Sequence, residues 1–326
     1  MTGVTVTYGS RAELCAQTIL GAIDAGCQNV IVVFNGCTES VVNEVQTLTR
    51  RQSLSVTSVI NPINLGSAGG YNLGLKTAID REPDLIWLLD DDNCPEPGAL
   101  AAAVQEWDTR VDVAVFCSRS GSPDHTKLQQ GWPPSLVFPP SGSFMYFDIW
   151  QRISRLVRTR KAATCTPIDL GRSVQVPYGP YGGLLVTPAL IRKAGLPDPS
   201  LFLYEDDTDY SYRLGLAKAQ LVWCRDALVI DQDGKWTEKN GLSGLYGVAA
   251  SDDRQRLYIA TRNRSTFDLR RARTSGFLLA RMSLNVVVYA TMFTVSALRS
   301  GRRSNIPLFF GAVIDGFRRK QRPIMS

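Results

Sequence analysis

The sequence predicts an α/β fold in which a mainly parallel, doubly wound sheet carries helices on both faces. Apolar, strand-like runs alternate with helical stretches through the first 90 residues, and this alternation is typical of parallel strands joined by crossover helices. Polar residues follow several of these runs directly, at the edge of the sheet where ligands bind in this fold class.

The individual elements follow from the hydrophobic pattern. Apolar or β-rich runs predict four strands, at 4–8, 30–34, 54–60 and 85–89. Helices are predicted between them at about 11–25, which has apolar residues roughly on one face, and at 40–50. A third helix is expected after the Gly-rich segment 64–74 and should run to about Ile79. A second structured block, about 174–233, contains the apolar run 184–186 and two helical stretches. The intervening segment 118–140 is rich in Pro, Gly and polar residues, so we expect a long surface excursion there.

Composition and charge limit the classes of function. The 326 residues are 44% hydrophobic and 20% charged, which excludes a disordered chain, a collagen-like repeat and a coiled coil. Residues 254–326 hold 15 Lys and Arg against 2 acids, a net charge of +13, whereas residues 1–253 hold 21 against 28, a net charge of −7. Seven scattered cysteines and a single histidine argue against structural zinc and for reduced thiols. The first residues carry no basic and apolar leader, so no secretory signal is expected.

Three consecutive carboxylates, Asp90, Asp91 and Asp92, follow the apolar run 85–89 directly. Adjacent carboxylates repel one another, and a bound cation relieves that repulsion. Alternate residues of an extended segment point to the same side, so Asp90 and Asp92 can share one hard divalent ion, Mn²⁺ or Mg²⁺. The alternative is an acidic cap on a helix near Pro95. Because a cap needs only one Asp, we favour the metal.

Two further segments carry candidate chemistry. The segment 64–72 is rich in glycine but matches neither the dinucleotide pattern G-x-G-x-x-G nor the phosphate loop that ends in G-K-S/T. Its glycines still permit a ligand to approach the start of a helix, where backbone N–H groups favour anions. The segment 205–209 has four acids in five residues. We expect one of them to act as a general base, and the alternative is that they only cap the following helix.

Five segments in this order resemble family-2 inverting glycosyltransferases, above all their bacterial rhamnosyltransferase and galactofuranosyltransferase branch. They are Thr7-Tyr-Gly-Ser-Arg11, Asn35-Gly36, Asn64 to Asn72, Trp87-Leu-Leu-Asp-Asp-Asp92 and Glu205-Asp-Asp-Thr-Asp209. The resemblance covers roughly residues 3–265, including a Tyr/Arg-Asn segment at 258–263. It implies the GT-A fold with its Rossmann-like sheet. We therefore expect a glycosyltransferase domain at 1–253, with a nucleotide half at about 1–117 and an acceptor half at about 174–253.

The resemblance also implies roles for single residues. Those expected to bind the nucleotide-sugar donor are Thr7, Tyr8, Arg11, Asn35, Asn64, Gly69, Gly70, Asn72 and Asp91. Those expected to hold a divalent cation that bridges the two phosphates are Asp90, Asp92 and, by its place in the segment 229–234, Asp231. On the acceptor side, Asp207 corresponds to the general base, Asp206 to a ligand of acceptor hydroxyls, and Gly182 and Gly183 to the lining.

One position departs from the family pattern. In this branch a histidine after a late strand commonly completes the metal shell, and Asp231 stands at that place here. Carboxylate oxygen still suits Mn²⁺ or Mg²⁺, so the departure bears on metal preference more than on activity. The single histidine, His125, lies in the segment 118–140, where we expect a solvated surface residue.

The implied reaction is transfer of galactofuranose or rhamnose, with inversion, from UDP-galactofuranose or dTDP-rhamnose to a hydroxyl of a lipid-linked or polysaccharide acceptor of the bacterial cell envelope. The enzyme alternative is a sugar-nucleotide pyrophosphorylase, which also uses carboxylates with Mg²⁺. The non-enzyme alternative is a membrane-docking adaptor that keeps a degenerate nucleotide pocket. No nucleic-acid partner is expected, because the basic residues are not interleaved with aromatic ones. The pattern leaves self-association open.

The basic segment 254–326 contains two apolar stretches, 277–298 and 306–313, each flanked by clusters of arginine. Helices of this kind lie in the membrane interface and meet anionic headgroups. We therefore expect a helical tail that contacts the inner face of the cell membrane from the cytoplasm. The alternatives are packing helices with a solvated basic face and, because Arg281 and Asn285 interrupt the first stretch, less readily a membrane span.

Overall fold

The structure of the protein, a computed structural model, describes residues 1–50, 55–107, 112–159, 168–233 and 244–320. It divides into two compact units, Met1–Pro134 with Asp169–Gly234, and Ser135–Ile168 with Lys235–Ser326. Every predicted site residue lies in the first unit, and the predicted helical tail lies in the second. Leu54, Cys165, Gly234 and the final residues 321–326 are outside the described residues.

The first unit is built on one sheet whose first half is parallel. Its strands are β1 (Thr2–Thr7), β2 (Asn29–Asn35), β3 (Ser55–Asn61) and β4 (Ile86–Asp90), paired in the order β3-β2-β1-β4. All six residues of β1 and six of the seven in β2 are buried, as expected for strands covered on both faces. The four strands end within two residues of the predicted bounds, because continuous apolar runs between turn residues are a strong local signal.

The second half of the sheet is mixed. It contains β5 (Asn93–Pro95), β6 (Val113–Arg119), β7 (Ser173–Gln175), β8 (Leu184–Val186) and β9 (Gln220–Asp231). The order continues β4-β8-β6-β9-β5, with β7 also on β9. Strand β8 is antiparallel to both β4 and β6, and β6 is parallel to β9. The predicted α/β class with a central sheet between helices is thus confirmed, and the parallel arrangement holds throughout its first half.

Helices separate and follow these strands. In chain order they are α1 (Ala12–Asp24), α2 (Glu39–Thr49), α3 (Gly66–Ile79), α4 (Ala99–Gln105), α5 (Pro123–Gln129), α6 (Pro134–Val137), α7 (Ile149–Thr159), α8 (Pro188–Ala194), α9 (Asp206–Leu216), α10 (Gly244–Ala249), α11 (Arg254–Ala272), α12 (Gly276–Arg299) and α13 (Asn305–Arg318). Helix α3 packs tightly on β1, since a Cβ on Gly70 would collide with the side chain of Val6.

The expectation for the segment 118–140 is wrong at His125, which is 4% exposed rather than solvated. The segment folds into α5, where Ser122 caps the helix by accepting a hydrogen bond from the His125 backbone N–H at 3.3 Å. The His125 ring then accepts a hydrogen bond at Nδ1 from the backbone N–H of Arg119 at 2.9 Å. Burial, reinforced by the charge of Arg119, lowers the pKa of His125 to about 3, so the ring is neutral and can be buried.

The second unit is helical and has its own aromatic core. Phe293 of α12 and Phe309 of α13 are fully buried and stacked with ring centroids 4.1 Å apart. The two polar residues that interrupt the first apolar stretch both face Asp148: Arg281 Nε donates to Asp148 Oδ2 at 2.8 Å, and Asn285 Nδ2 donates to the same oxygen at 3.0 Å. By length and composition, α12 is the one helix of the described residues that could cross a membrane.

We expect Phe293→Ala to lower the free energy of unfolding by about 3–5 kcal/mol, because it removes a fully buried ring and leaves a cavity. The measurement is denaturant unfolding followed by circular dichroism. The matched control is Val295→Ala in the same helix, since Val295 is exposed and surface substitutions change stability by about 0.5 kcal/mol or less. Equal losses in the two variants would contradict this packing.

Candidate active site

The five strands that carry the site residues end at one edge of the sheet. Strands β1, β2 and β4 are parallel to one another, and β4 and β6 share a direction because both are antiparallel to β8; β9 is parallel to β6. The residues at or next to their carboxyl ends are Thr7, Asn35, Asp90, Arg119 and Asp231. The topology thus brings residues from distant parts of the chain to the edge where ligands bind in this fold class.

Arg11 binds three carboxylates at this edge. Its Nε contacts Asp91 Oδ2 at 3.0 Å, Nη2 contacts Asp92 Oδ2 at 3.1 Å, and Nη1 contacts Asp233 Oδ2 at 2.9 Å. Thr7 Oγ1 also donates to Asp91 Oδ2, at 2.8 Å. Burial and the neighbouring Asp90 and Asp91 raise the pKa of Asp92 to about 6, while burial is the main cause of the raised pKa of Asp91.

Arg119 binds the remaining two carboxylates. Nη1 donates to Asp90 Oδ2 at 2.8 Å, while Nε and Nη2 donate to Asp231 Oδ1 at 2.9 and 2.7 Å. Burial alone lowers the pKa of a guanidinium, but the charges of Asp90 and Asp231 outweigh it here and leave the pKa of Arg119 raised. Arg119 is therefore a permanent positive charge among the carboxylates.

Asn93 connects the two sides of this network. Its Nδ2 donates to Asp231 Oδ1 at 2.8 Å and to Asp92 Oδ1 at 3.2 Å, and its Oδ1 accepts from the Asp90 backbone N–H at 3.1 Å. Tyr71 Oη donates to the other oxygen of Asp90, Oδ1, at 2.9 Å. Every carboxylate predicted to hold a metal thus already accepts hydrogen bonds from protein groups.

As arranged here, the three predicted metal ligands do not fit a divalent ion. Asp90 and Asp231 share the Arg119 guanidinium, and Asp92 is paired with Arg11. The second oxygen of Asp231, Oδ2, faces Gly121 so closely that even a Cβ there would lie 2.5 Å from it. Across the described ranges, no group of three or more His, Cys, Asp or Glu is placed to hold a metal. The metal role of Asp90, Asp92 and Asp231 stays a prediction.

The predicted donor residues fall into three groups. Asn35 and Asn64 are hydrogen bonded to each other at 3.1 Å and hold the turn before α3, since both also bond backbone groups of 65–66. Tyr8 is half exposed, with the Arg11 guanidinium 5.5 Å from its ring centre, and so offers an aromatic face beside a positive charge. Asn72 lies further along α3 and donates to the Pro197 carbonyl at 2.8 Å.

Gly69 and Gly70 are buried in the first turns of α3, where they have a packing role. A Cβ on Gly69 would lie 2.5 Å from the Leu65 Cβ, and Gly70 faces Val6. Gly66, at the start of the helix, has φ +70° and lies against the Phe202 carbonyl, which accepts a hydrogen bond from the Ala68 N–H at 3.1 Å. These contacts bring the start of α3 next to the loop that precedes α9. Their part in donor binding stays a prediction.

The acidic cluster begins helix α9. Ser67 Oγ donates to Asp206 Oδ2 at 2.7 Å, which ties the cluster to α3. Burial and then the neighbouring Asp207 raise the pKa of Asp206 well above its usual value. Asp207 is only partly exposed to solvent. Its burial, reinforced by the negative charge of Glu205, raises its pKa to about 6. The charges of Asp90 and Arg119 also act on the pKa of Asp207. Helix α3 contacts both groups of acids, through Ser67 at Asp206 and through Tyr71 at Asp90.

The backbone before α9 is strained. Phe202, Tyr204 and Glu205 all have φ between +61° and +66°, a backbone region that residues other than glycine rarely occupy. Strain of this kind persists only where surrounding structure imposes it, and it clusters at functional sites. Here it accompanies the turn that places Asp206 and Asp207 at the start of α9.

Gly182 and Gly183 precede β8, and Gly182 lies against the network. A Cβ on Gly182 would lie 2.7 Å from Asp90 Oδ2 and 2.9 Å from Arg119 Nη1, and would collide with Asn93 Oδ1. Gly183 has φ +89° and donates its N–H to the Leu88 carbonyl at 2.8 Å. Gly182 therefore leaves room for the network, whereas a Cβ on Gly183 would collide with Cys117. The place of both glycines on the acceptor side stays a prediction.

Sequence reasoning missed five residues that contact this site: Arg119, Asn93, Ser67, Tyr71 and Asp233. Arg119 lies just after the apolar run 113–117. The carboxyl end of that run could have been compared with the carboxyl ends of the other predicted strands. Asn93 directly follows the acidic triplet. Ser67 gave no signal, because its contact with Asp206 joins residues 139 positions apart in the chain.

Comparison with known proteins identifies the family of this chain. The family model described as "Glycosyltransferase like family 2" matches residues 4–244. The chain belongs to this glycosyltransferase family. The predicted enzyme class is thereby confirmed, and the residues predicted to bind the donor and to act as base lie within the matched range.

Relatives of this glycosyltransferase are found among curated proteins. It is 26% identical over 263 residues to the galactofuranosyltransferase GlfT1 of Mycobacterium tuberculosis, an alignment covering 80% of this chain and 79% of the relative. The GlfT1 of Mycolicibacterium smegmatis is also 26% identical, over 80% of each chain. A solved structure of GalNAc-T7 with UDP, GalNAc and Mn²⁺ shares the fold, with a TM-score of 0.52 and 12% identity. The alignment covers 81% of this chain and 50% of the GalNAc-T7 chain.

Proposed function

We propose that this glycosyltransferase moves galactofuranose from UDP-galactofuranose to a hydroxyl group of a glycan acceptor and inverts the anomeric carbon. The observation that carries the proposal is that helix α3 contacts both acidic groups, since Ser67 donates to Asp206, next to Asp207, and Tyr71 donates to Asp90 of the arginine–carboxylate network. An inverting transfer needs a base on one side and a stabilised leaving group on the other. The choice of sugar is supported by the two GlfT1 relatives. The second candidate donor is dTDP-rhamnose.

In this proposal Asp207 is the general base. Its carboxylate takes the proton from the acceptor hydroxyl while that oxygen forms a bond to the anomeric carbon. The bond between the anomeric carbon and the β-phosphate oxygen breaks at the same time, and its electron pair leaves with UDP. A raised pKa suits this role, because a base with a pKa nearer the working pH accepts a proton more readily than an ordinary aspartate.

Donor binding is supported by the edge of the sheet formed by β1, β2 and β4. The half-exposed ring of Tyr8 offers a surface for stacking the nucleotide base, and the Arg11 guanidinium beside it offers positive charge for the diphosphate. Asp91 is held by both Thr7 and Arg11, and we assign it to a hydroxyl of the donor sugar or ribose. Asp206, next to the base, is assigned to an acceptor hydroxyl.

The family resemblance predicts a divalent cation, Mn²⁺ or Mg²⁺, at the diphosphate of the donor. When bound, such an ion supplies positive charge to the leaving group. The carboxylates of this chain are committed to two guanidinium groups and do not fit the ion, so no step of the proposed mechanism uses it.

The proposed reaction can be tested by incubating the protein with each sugar nucleotide and an acceptor glycan, followed by detection of released nucleotide and NMR of the product. We expect transfer from UDP-galactofuranose, an inverted anomeric centre and free UDP. Release of pyrophosphate from a nucleoside triphosphate and a sugar phosphate would instead indicate a pyrophosphorylase. Nucleotide binding without transfer or donor hydrolysis to any acceptor would indicate an adaptor.

The turnover number should rise with pH through about 6 and then level off. Asp207 accepts a proton only when it is ionised, and its pKa of about 6 means that the protonated, inactive form predominates below that pH. Below that pKa we expect kcat to fall about tenfold for each unit by which the pH is lowered. The measurement is the pH dependence of kcat at saturating donor, and a flat profile between about pH 5 and pH 7 would contradict the assignment.

We propose that the second unit contacts an anionic membrane surface at the cytoplasmic face, where a lipid-linked acceptor would lie. Support comes from exposed apolar side chains that recur on one face of α12, namely Phe277, Leu284, Val287, Val295 and Leu298. Exposed basic residues lie at the ends of α12 and α13 and just after them, at Arg299, Arg302, Arg303 and 318–320. An apolar face beside basic residues is typical of helices that lie in the interface.

The double variant Phe277→Asp with Val287→Asp should lower binding to anionic vesicles at least tenfold, because it places charge on the apolar face. Co-sedimentation with vesicles containing phosphatidylglycerol measures this binding. The control is Leu48→Asp, which changes an exposed leucine of α2 in the first unit in the same way. Unchanged sedimentation of the double variant would favour packing helices with a solvated basic face.

A further inference from the structure

We propose that Arg119 supplies the positive charge that stabilises the leaving diphosphate, at the position where the sequence predicts a divalent metal ion, so that this chain binds its donor without such an ion. The inference rests on the proposed function, because it concerns the diphosphate of the same donor. It names a further residue for the reaction and reverses the expected cofactor requirement.

The first observation is that Arg119 joins the two carboxylates that a metal would have to share. Its guanidinium lies between Asp90 Oδ2, at 2.8 Å, and Asp231 Oδ1, at 2.7 Å from Nη2. A divalent ion bound to both would have to displace this guanidinium. Aspartate at position 231, where the family commonly has histidine, is explained by the same contact, since a carboxylate pairs with arginine and a neutral imidazole does so poorly.

The second observation is that neighbouring residues are shaped to the arginine. Gly182 leaves the space that Asp90 and the Arg119 Nη1 occupy, because a Cβ there would lie within 2.9 Å of both. Gly121 does the same for the second oxygen of Asp231. His125 holds the backbone N–H of Arg119 at 2.9 Å through a neutral ring, and so fixes the end of β6.

The third observation is that Arg119 keeps hydrogen-bonding capacity for a ligand. Its bonds to Asp90 and Asp231 use three N–H groups, and a guanidinium carries five in a planar fork that matches a phosphate. The side chain is 17% exposed, so part of it reaches the surface of the site. Because two carboxylates hold the Arg119 guanidinium in place, it needs little rearrangement to stabilise the negative charge that develops on the leaving oxygen.

The chemistry then balances without a metal ion. As the bond from the anomeric carbon to the β-phosphate oxygen breaks, its electron pair moves to that oxygen, and the N–H groups of Arg119 donate to the diphosphate. Arg11, on the other side of the acidic triplet, adds a second fixed charge. Asp207 takes the acceptor proton, so no other group has to gain or lose one.

The test is UDP binding by calorimetry in excess EDTA and in excess Mn²⁺. For the wild-type protein we expect dissociation constants within about threefold of each other in the two conditions. For Arg119→Met we expect binding in EDTA to be at least tenfold weaker, as removal of a charged hydrogen-bond partner predicts, with partial recovery in Mn²⁺ because Asp90 and Asp231 are released to bind the ion. The control Arg172→Met removes an exposed arginine of the same unit and should bind UDP like the wild type.

The outcomes separate this inference from the proposed function. If EDTA weakens UDP binding by the wild-type protein tenfold or more, the inference fails and the glycosyltransferase proposal stands. If Arg119→Met is folded and binds UDP in EDTA as tightly as the wild type, the inference also fails. If no nucleotide binds under either condition, both are overturned. The EDTA comparison uses the unaltered protein, so it holds even if Arg119→Met does not fold.

Discussion

Replacing Asp207 by asparagine should lower the turnover number of glycosyl transfer by about 10²–10⁴-fold, the usual contribution of a general base. Asparagine has nearly the same shape but cannot accept the acceptor proton. The change also removes a charge that burial and Glu205 disfavour, so we expect the variant to be at least as stable as the wild type. UDP binding should be unchanged, because Asp207 is assigned to the acceptor side.

The experiment compares kcat, melting temperature and UDP affinity of Asp207→Asn with those of Asp226→Asn. Asp226 is an exposed acid of the same unit, paired with Arg172, and its replacement should leave all three quantities near the wild-type values. An Asp207→Asn enzyme with near-normal turnover would remove Asp207 from the mechanism. Asp206→Asn would then be the next variant to measure, since Asp206 lies beside it and contacts Ser67.

Replacing Gly182 by alanine should lower kcat/KM by about 10²-fold, although the change adds a single methyl group. That group would collide with Asn93 Oδ1 and lie 2.7 Å from Asp90 Oδ2 and 2.9 Å from Arg119 Nη1. These three atoms take part in hydrogen bonds of 2.8 and 3.1 Å, so moving them apart to make room disturbs those bonds. A displacement of about 1 Å among positioned catalytic groups is enough for a loss of this size.

The matched control is Gly276→Ala, because a Cβ at Gly276 meets nothing within 4 Å. Its transfer activity and melting temperature should be close to those of the wild type. For Gly182→Ala we expect a folded protein by circular dichroism with weakened UDP binding in addition to the lost activity. Full activity would contradict the close contact among Gly182, Asp90 and Arg119, and with it the geometry of the network.

Several elements could be predicted because their signals are local. The runs 30–34 and 85–89 are apolar throughout and bounded by polar residues, so their identity as buried strands depends on no distant contact. The acidic triplet could be placed at the edge of the sheet for the same reason. The cluster 205–209 could be placed at a helix start, and α9 indeed begins at Asp206.

Other features could not be predicted because their partners are distant in sequence. His125 looks like a surface residue in a segment rich in proline and polar residues, and only its contact with the Arg119 N–H and its packing near Trp223 explain its burial. In the second unit, Arg281 and Asn285 look like interruptions of a membrane helix. Both are instead the partners of Asp148, more than 130 residues earlier in the chain.

The sequence by itself determined the α/β class, the parallel first half of the sheet and the position of the acids, because side-chain periodicity and strand ends are properties of short segments. The tertiary structure decided what those acids contact. Arg119 reaches Asp231 across 112 residues because β6 pairs directly and in parallel with β9. It reaches Asp90 because β8 lies antiparallel between β4 and β6 and so aligns the ends of those two strands. No local pattern encodes that strand order, and the charge at the centre of the site depends on it.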